Sequence, residues 1–226
     1  VEDKTWEVAE RPRKFLQAFA AILEHGNYRV ALDHFSRVCS RCGRCAPVCQ
    51  LFQAAAEEKN VPTHRSHLLF RVYQRYFTTT GQLKAKLGGG FTLTDAHIDE
   101  MAEEYYKCVA CRRCRTACPQ GIDHGLVTHL ARWILAEIDV IPKALVVATR
   151  AQLEGVGNTS AIPAPAMVDT CEFLEEELEE DFGVRAKFPI DVEGAEYIFF
   201  PAVSDYLLEP DTLMGNAAVM HVTGGS

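Results

Sequence analysis

The chain has 226 residues, 48% of them hydrophobic and 24% charged, which is the composition of a globular protein and excludes the disordered and collagenous classes. That length suits one large domain or two small ones, and no apolar run approaches the ~18 residues a bilayer-crossing helix needs. A net charge of −8 argues against a general nucleic-acid binder, whose electrostatic footprint would be basic.

The sequence opens on Val1 without methionine or a secretory n-region and h-region, which points to a processed chain or a fragment. In RKFLQAFAAILEHGN, Phe15, Leu16, Phe19, Ile22 and Leu23 recur at helical spacing and Gly26-Asn27 supplies a stop. A second helix from about Tyr28 to Phe35 delivers the chain to Cys39, and LFQAAAEEK continues as helix until Val61-Pro62 breaks it. HRSHLLFRVYQRYF places Leu68, Leu69, Val72 and Tyr76 on one helical face. The stretch from Thr78 to Gly90, with TTTG and a GGG triplet, reads as loop; Thr94 or Asp95 then caps DAHIDEMAEEYYKC. Beyond Pro119 and Gly121, HGLVTHLARWILAEI carries Leu126, Leu130, Ile134 and Ile138 along one face, and a further helix runs from Pro142 to about Leu153. GVGNTSAIPAPA (155–166) has linker composition, and CEFLEEELEEDFG beyond it reads as a solvated amphipathic helix with Phe173, Leu174, Leu178 and Phe182 at helical intervals. AEYIFFP, Ala195–Pro201, is an aromatic and β-branched run that predicts a strand, followed by a helix over PDTLMGNAAVMH.

Eight of the nine cysteines form two runs, CSRCGRCAPVC with Cys39, Cys42, Cys45 and Cys49, and CVACRRCRTACP with Cys108, Cys111, Cys114 and Cys118. Both obey C-x2-C-x2-C-x3-C, and each cysteine of the second run lies 69 residues after its counterpart in the first, an internal repeat of ligands. Thiolates two residues apart wrap a tight, largely helical turn around one iron–sulfur cubane, with a fourth ligand from elsewhere. Structural zinc fits less well, because it takes four ligands in paired C-x2-C units. Disulfides fit less well because cysteines on consecutive helical turns are badly placed to bridge. Isolated Cys171 reads as a small buried apolar residue. Arg37, Arg41, Arg44, Arg112, Arg113 and Arg115 in or beside the runs could favour the reduced state of a cluster, dock an anionic partner or merely be solvated. His64 and His67 could share a ligand face but have no third partner nearby, and Gly88-Gly89-Gly90 is not a phosphate-binding fingerprint. No catalytic triad, serine elbow or carboxylate pair is evident, so no catalytic residue is assigned.

Two such runs set among helices resemble the α-helical ferredoxin fold. The iron–sulfur subunits of succinate dehydrogenase and fumarate reductase share the pattern but carry an N-terminal [2Fe–2S] domain, and here no cysteine precedes Cys39. The heterodisulfide reductase group is more similar, because its larger members join a helical two-cluster domain to a cysteine-rich domain opening with a strand like EYIFFP. The resemblance covers about 30–150 strongly and about 195–222 weakly. Ala202-Val203 stands where relatives often have Gly-Cys, the later double-cysteine motifs are absent, and Gln50 replaces the proline after the first run. The resemblance implies a mainly α protein: an α-helical ferredoxin domain with two [4Fe–4S] clusters over 1–154, a linker at 155–166, and an acidic helix with the start of an incomplete α/β segment over 167–226. As in bacterial two-cluster ferredoxins, the fourth cysteine of each run would ligate the other cluster. One cluster would then take Cys39, Cys42, Cys45 and Cys118, the other Cys108, Cys111, Cys114 and Cys49.

The function so implied is an electron-transfer iron–sulfur subunit of a respiratory-type oxidoreductase complex. The alternatives are the N-terminal half of a heterodisulfide reductase-like catalytic subunit and a zinc-stabilised interaction module. Expected partners are other redox subunits, including a membrane cytochrome or quinone module and a reducing subunit, with no nucleic acid and no direct membrane span. The expected location is the cytoplasm, where thiols stay reduced, or the inner face of the membrane through partner subunits.

Overall fold

The computed structural model describes residues 9–224; residues 1–8, included in the first expected domain, and 225–226 lie outside the described residues. The chain divides into two compact units that meet in sequence between Pro142 and Lys143.

The first unit is helical throughout. Helices α1 (Glu10–Leu23) and α2 (Gly26–Val38) lead into the first cysteine run, and α3 (Gln50–Ala55) leaves it. Next come α4 (Pro62–Phe77), α5 (Thr79–Lys86) and α6 (Asp95–Tyr106), then the second run with its short α7 (Arg113–Ala117), and finally α8 (His124–Ala136). The apolar stripes meet as the periodicity requires: Phe15, Leu16 and Phe19 of α1, Leu68, Leu69 and Val72 of α4, Ile98 and Met101 of α6, and Leu130 and Ile134 of α8 share one core. Each such side chain contributes roughly 1.5–3 kcal/mol by leaving water. Helix α4 is buried on most of its circumference, Phe70, Tyr73 and Tyr76 included. It packs against α2, α5, α6 and α8, which makes it the unit's central post.

Local chemistry sets the helix starts. Pro62 occupies the first turn of α4, where its missing N–H costs nothing. The Thr94 amide donates to His97 Nδ1 at 3.2 Å at the head of α6, a histidine version of the capping box. Asp123 caps α8 by accepting from the Leu126 amide at 2.9 Å.

Three expectations are corrected. Residues 78–90 are not loop throughout, because Thr78 caps α5 by accepting from the Gly81 amide at 3.1 Å; α5 buries no residue, so no apolar stripe announced it. The helix after Cys49 stops at Ala56, which turns left-handed at φ 50°, and a 3-10 turn at Glu58–Asn60 completes the link to α4. On α8 the buried face centres on Val127, Leu130, Ala131, Ile134 and Leu135, while Leu126 and Ile138 of the expected face sit at its margin.

The second unit comprises α9 (Lys143–Leu153), α10 (Ala164–Phe182) and α11 (Pro210–Thr223), with a 3-10 turn at Val203–Tyr206. Helix α10 begins inside the stretch of linker composition and ends at left-handed Gly183. Its Leu174 and Leu178 pack with Ala186, Leu213 and Met214 in a small core, whereas Phe173 and Phe182, expected on the same face, are exposed. The expected strand is absent, and with it the α/β segment: residues 197–200 have no regular structure, and Phe200 is 86% exposed. A strand exists only through a neighbour that takes its amide and carbonyl groups, and the described residues contain no other strand.

Candidate metal centre

The two cysteine runs share their backbone turns, although only the second closes into a helix, α7. Arg41 and Ala110, equivalent in the repeat, both turn left-handed at φ 54° and 53°, and so do Gly43 and Arg112 at φ 76° and 58°. The Ala46 amide donates to Gly43 O at 2.9 Å and the Arg115 amide to Arg112 O at 2.9 Å; the amides of Cys49 and Cys118 close the next turn onto Ala46 O and Arg115 O. Glycine adopts this conformation freely, whereas Arg112 holds it at a cost of roughly 1–2 kcal/mol. Close packing of the second run offsets that strain. Arg112 lies against Gly125 of α8, where an added Cβ would stand 2.8 Å from Arg112 Cγ, and Asp123 pairs with Arg112 at 3.6 Å and Arg115 at 3.5 Å.

The fold brings the eight cysteines together in two sets. Cys108, Cys111, Cys114 and Cys49 line a cavity of about 240 Å³, walled by Val48, Leu51, Pro62 and Val109. Cys39, Cys42, Cys45 and Cys118 line a second of about 50 Å³, with Ile122, Thr63 and His124. Each cavity thus takes three cysteines from one run and the last cysteine of the other. All nine cysteines are free of disulfides. Among the described residues no three His, Cys, Asp or Glu side chains converge as one metal ion requires, since tetrahedral zinc holds its sulfurs at ≈ 2.3 Å from a single point. Four thiols spread around a cavity fit a group of several atoms instead.

Electrostatics point the same way. Burial, with the neighbouring Cys108, Cys45, Cys111 and Cys49, pushes the Cys114 thiol up to about 12, and burial raises Cys45 despite the Thr63 amide. Such thiols ionise together only around a compensating cation, which iron supplies. Burial would also raise Cys49, but the Phe52 amide, the Arg65 guanidinium and the Leu51 amide outweigh it and hold this thiol below its ordinary range. Cys49 is the N-cap of α3, which is why those amides face its sulfur.

The first turns of α4 serve both cavities. Thr63 Oγ1 lies 3.1 Å from Cys39 Sγ, and Arg65 Nη2 donates to Cys49 Sγ at 3.6 Å. One residue further, Ser66 Oγ meets His124 Nδ1 at 2.7 Å; burial and Arg65 hold that imidazole down to about 4, so it is neutral at pH 7. Tyr105, fully buried, donates its hydroxyl to Arg65 O at 2.6 Å and accepts from the Leu69 amide at 3.2 Å. Nothing in the sequence singled out Thr63, Arg65, Tyr105 or His124. The available signal was a polar, basic PTHRSH inside a helix that is apolar elsewhere.

The other candidates stay apart from the cavities or from one another. His67 takes the Arg41 guanidinium on one ring nitrogen, and burial and that charge hold it down to about 4. His64 faces Glu100 at 3.9 Å, so the two histidines share no ligand. Cys171 is 4% exposed in the second unit, and burial, with Glu175, raises its thiol. Of the six arginines, Arg41, Arg44 and Arg112 line a cavity, while Arg37 pairs with Asp33 at 2.8 Å.

Residues 36–122 match the family model of the 4Fe–4S dicluster domain. The chain is 28% identical over 197 residues to an Hdr-like menaquinol oxidoreductase iron–sulfur subunit 2 of Archaeoglobus fulgidus, covering 87% of this chain and 35% of that one. It is 29% identical over 211 residues to an Hdr-like menaquinol oxidoreductase iron–sulfur subunit of Archaeoglobus profundus, covering 93% of this chain and 37% of that one. One of the subunits of the dihydromethanophenazine:CoB–CoM heterodisulfide reductase of Methanosarcina acetivorans is 28% identical over 85 residues, 38% of this chain and 20% of its own. The chain thus spans about a third of the length of the Archaeoglobus relatives, and no solved structure matches it. With its eight-cysteine repeat, its two thiol-lined cavities and these likenesses, the chain is similar to the heterodisulfide reductase-like iron–sulfur proteins.

Proposed function

We propose that this chain is an electron-transfer subunit that relays single electrons through two [4Fe–4S] clusters, one held by Cys39, Cys42, Cys45 and Cys118 and the other by Cys108, Cys111, Cys114 and Cys49. The observation that carries the reading is the exchange of the fourth cysteine between the two cavities. A [4Fe–4S] cluster supplies a centre that takes up and gives back one electron, with a potential tuned by charge, hydrogen bonds to sulfur and exposure. The protein's own task is then to bind, to tune and to keep water out. Cys49 and Cys118 would tie the two runs to each other, and the influence of Cys45 on Cys114 supports transfer between the two sets. Val48, Leu51, Pro62 and Ile122 give the cavities apolar walls. No acid, base or nucleophile is needed, in keeping with the absence of any such constellation in the sequence.

The named activity of the Archaeoglobus relatives supports a place in a membrane-associated complex, with a quinone or cytochrome module and a reducing subunit as partners and the cytoplasmic face as location. Among the described residues no helix is long and apolar enough to cross a membrane; in this reading attachment comes through those partners. A second reading, that these residues are the electron-input part of a longer heterodisulfide reductase-like chain, draws on the greater length of the relatives. The mass of the denatured chain from its native source separates the two.

The test of the relay is iron and acid-labile sulfide content of anaerobically prepared protein, with low-temperature EPR on stepwise reduction. Eight irons and two reducible signals are expected, and Cys118→Ser should perturb the same signal as Cys42→Ser. Zinc without sulfide, or a Cys118→Ser effect confined to the signal that Cys111→Ser alters, would refute it.

A further inference from the structure

Arg65 is a buried cation without a carboxylate. It is 3% exposed, its Nη1 donates to Asn60 O at 2.7 Å, its Nη2 donates to Cys49 Sγ at 3.6 Å, and it takes part in no ion pair among the described residues. A guanidinium withdrawn from water is stable only beside compensating negative charge. Cys49 Sγ, which it touches, would supply that charge as a thiolate ligand of the cluster.

The remaining charges at the two cavities do not repeat this arrangement. Beside the Cys49 cavity, Lys107 is neutralised by Glu103 at 2.7 Å and Glu104 at 2.8 Å, and Arg112 is half-exposed and paired with Asp123. Beside the Cys39 cavity, Arg41 and Arg44 are exposed to solvent, which screens them. Thr63, which touches Cys39 Sγ, and neutral His124, which lines the cavity, carry no charge. Reduction adds one negative charge to a cluster, and a cation in a low-dielectric interior stabilises that charge far more than one in water.

Resting on the two-cluster reading above, we infer that Arg65 is a positioning residue that holds the cluster bound by Cys49, Cys108, Cys111 and Cys114 at a higher potential than the cluster bound by Cys39, Cys42, Cys45 and Cys118. The former therefore fills first. The Tyr105 hydroxyl on Arg65 O and the Asn60 carbonyl on its guanidinium fix the side chain in that role.

The experiment is an EPR-monitored redox titration of the anaerobic, cluster-loaded protein, with the two one-electron steps assigned by Cys111→Ser and Cys42→Ser. Arg65→Met should lower the reduction equilibrium constant of the upper step at least tenfold, about 59 mV for one electron, and leave the lower step within a factor of two. Arg65→Lys, which keeps the charge but loses the planar fork, should fall between Arg65→Met and the unsubstituted protein. If Arg65→Met does not retain its clusters, Arg65→Lys decides alone, by a selective fall in the upper step. Equal movement of both steps, movement of the lower step only, or no movement would overturn the inference. Unsubstituted protein with fewer than eight irons or a single reducible signal would instead overturn the two-cluster reading itself.

Discussion

Replacing Tyr105 by phenylalanine removes one oxygen atom from the centre of the first unit and tests how the shared first turns of α4 are held. The ring is fully buried among Ile98, Met101 and Leu69 and remains in the variant, so no large cavity forms. The hydroxyl donates to Arg65 O at 2.6 Å and accepts from the Leu69 amide at 3.2 Å. Two intramolecular hydrogen bonds contribute ~1 kcal/mol each, and a buried amide or carbonyl left unpaired costs ~1–3 kcal/mol more. Arg65 O and the Leu69 amide, however, are an i, i+4 pair of the same helix and can bond to each other once the hydroxyl is gone. The expected loss is therefore about 1–2 kcal/mol, and not the ~4 or more that two orphaned groups would add to the lost bonds. Burial holds the Tyr105 phenol far above its ordinary range, so it is protonated throughout and the loss should not vary between pH 6 and 9. Urea denaturation of the cluster-loaded protein, followed by helix dichroism, should show a lower midpoint with an unchanged slope. A loss above ~4 kcal/mol would refute the reclosing of the helix bond, and no measurable loss would refute the two hydrogen bonds.

Two further substitutions probe the support of the thiol-lined cavities. Asp123→Ala removes the α8 cap and should cost about 1 kcal/mol, whereas Asp123→Asn keeps an accepting oxygen and loses only ion pairs to arginines more than half exposed, worth well under ~1 kcal/mol; equal losses in urea titrations of the two variants would contradict this ranking. His124 has its folded pKa depressed to about 4 from 6.5, so the unfolded chain binds the proton first and stability present above pH 6.5 falls as pH drops toward 4. Between pH 7.5 and 5.5 this one group should remove about 1.4 kcal/mol, and the same titration of His124→Asn should lack that component; identical pH profiles would refute it.

The two cysteine runs were legible in sequence because their geometry is local. Three thiols at C-x2-C-x2-C spacing share one turn whatever surrounds them, and the 69-residue repeat that marks the two runs as equivalent reappears as paired left-handed turns at Arg41 and Ala110 and at Gly43 and Arg112. The helices carrying strong apolar stripes, α1 and α4, were legible for the same reason, since the residues spaced along one face are those that enter the core. Helix α5 was not, because it buries nothing and therefore leaves no periodic trace.

What only the tertiary structure decided is everything that depends on a partner distant in sequence. The run at Ala195–Pro201 has the composition of a strand, yet strand geometry persists only when another strand completes its hydrogen bonds, and the described residues offer none. Which cysteine of one run faces the cavity of the other was carried by resemblance alone, and it is the fold that lines one cavity with Cys49 and the other with Cys118. Arg65 is the sharpest case. In sequence it is one of several arginines near histidines, and its meaning comes from burial, since a charge withdrawn from water must find its opposite and this one is turned onto the Cys49 sulfur.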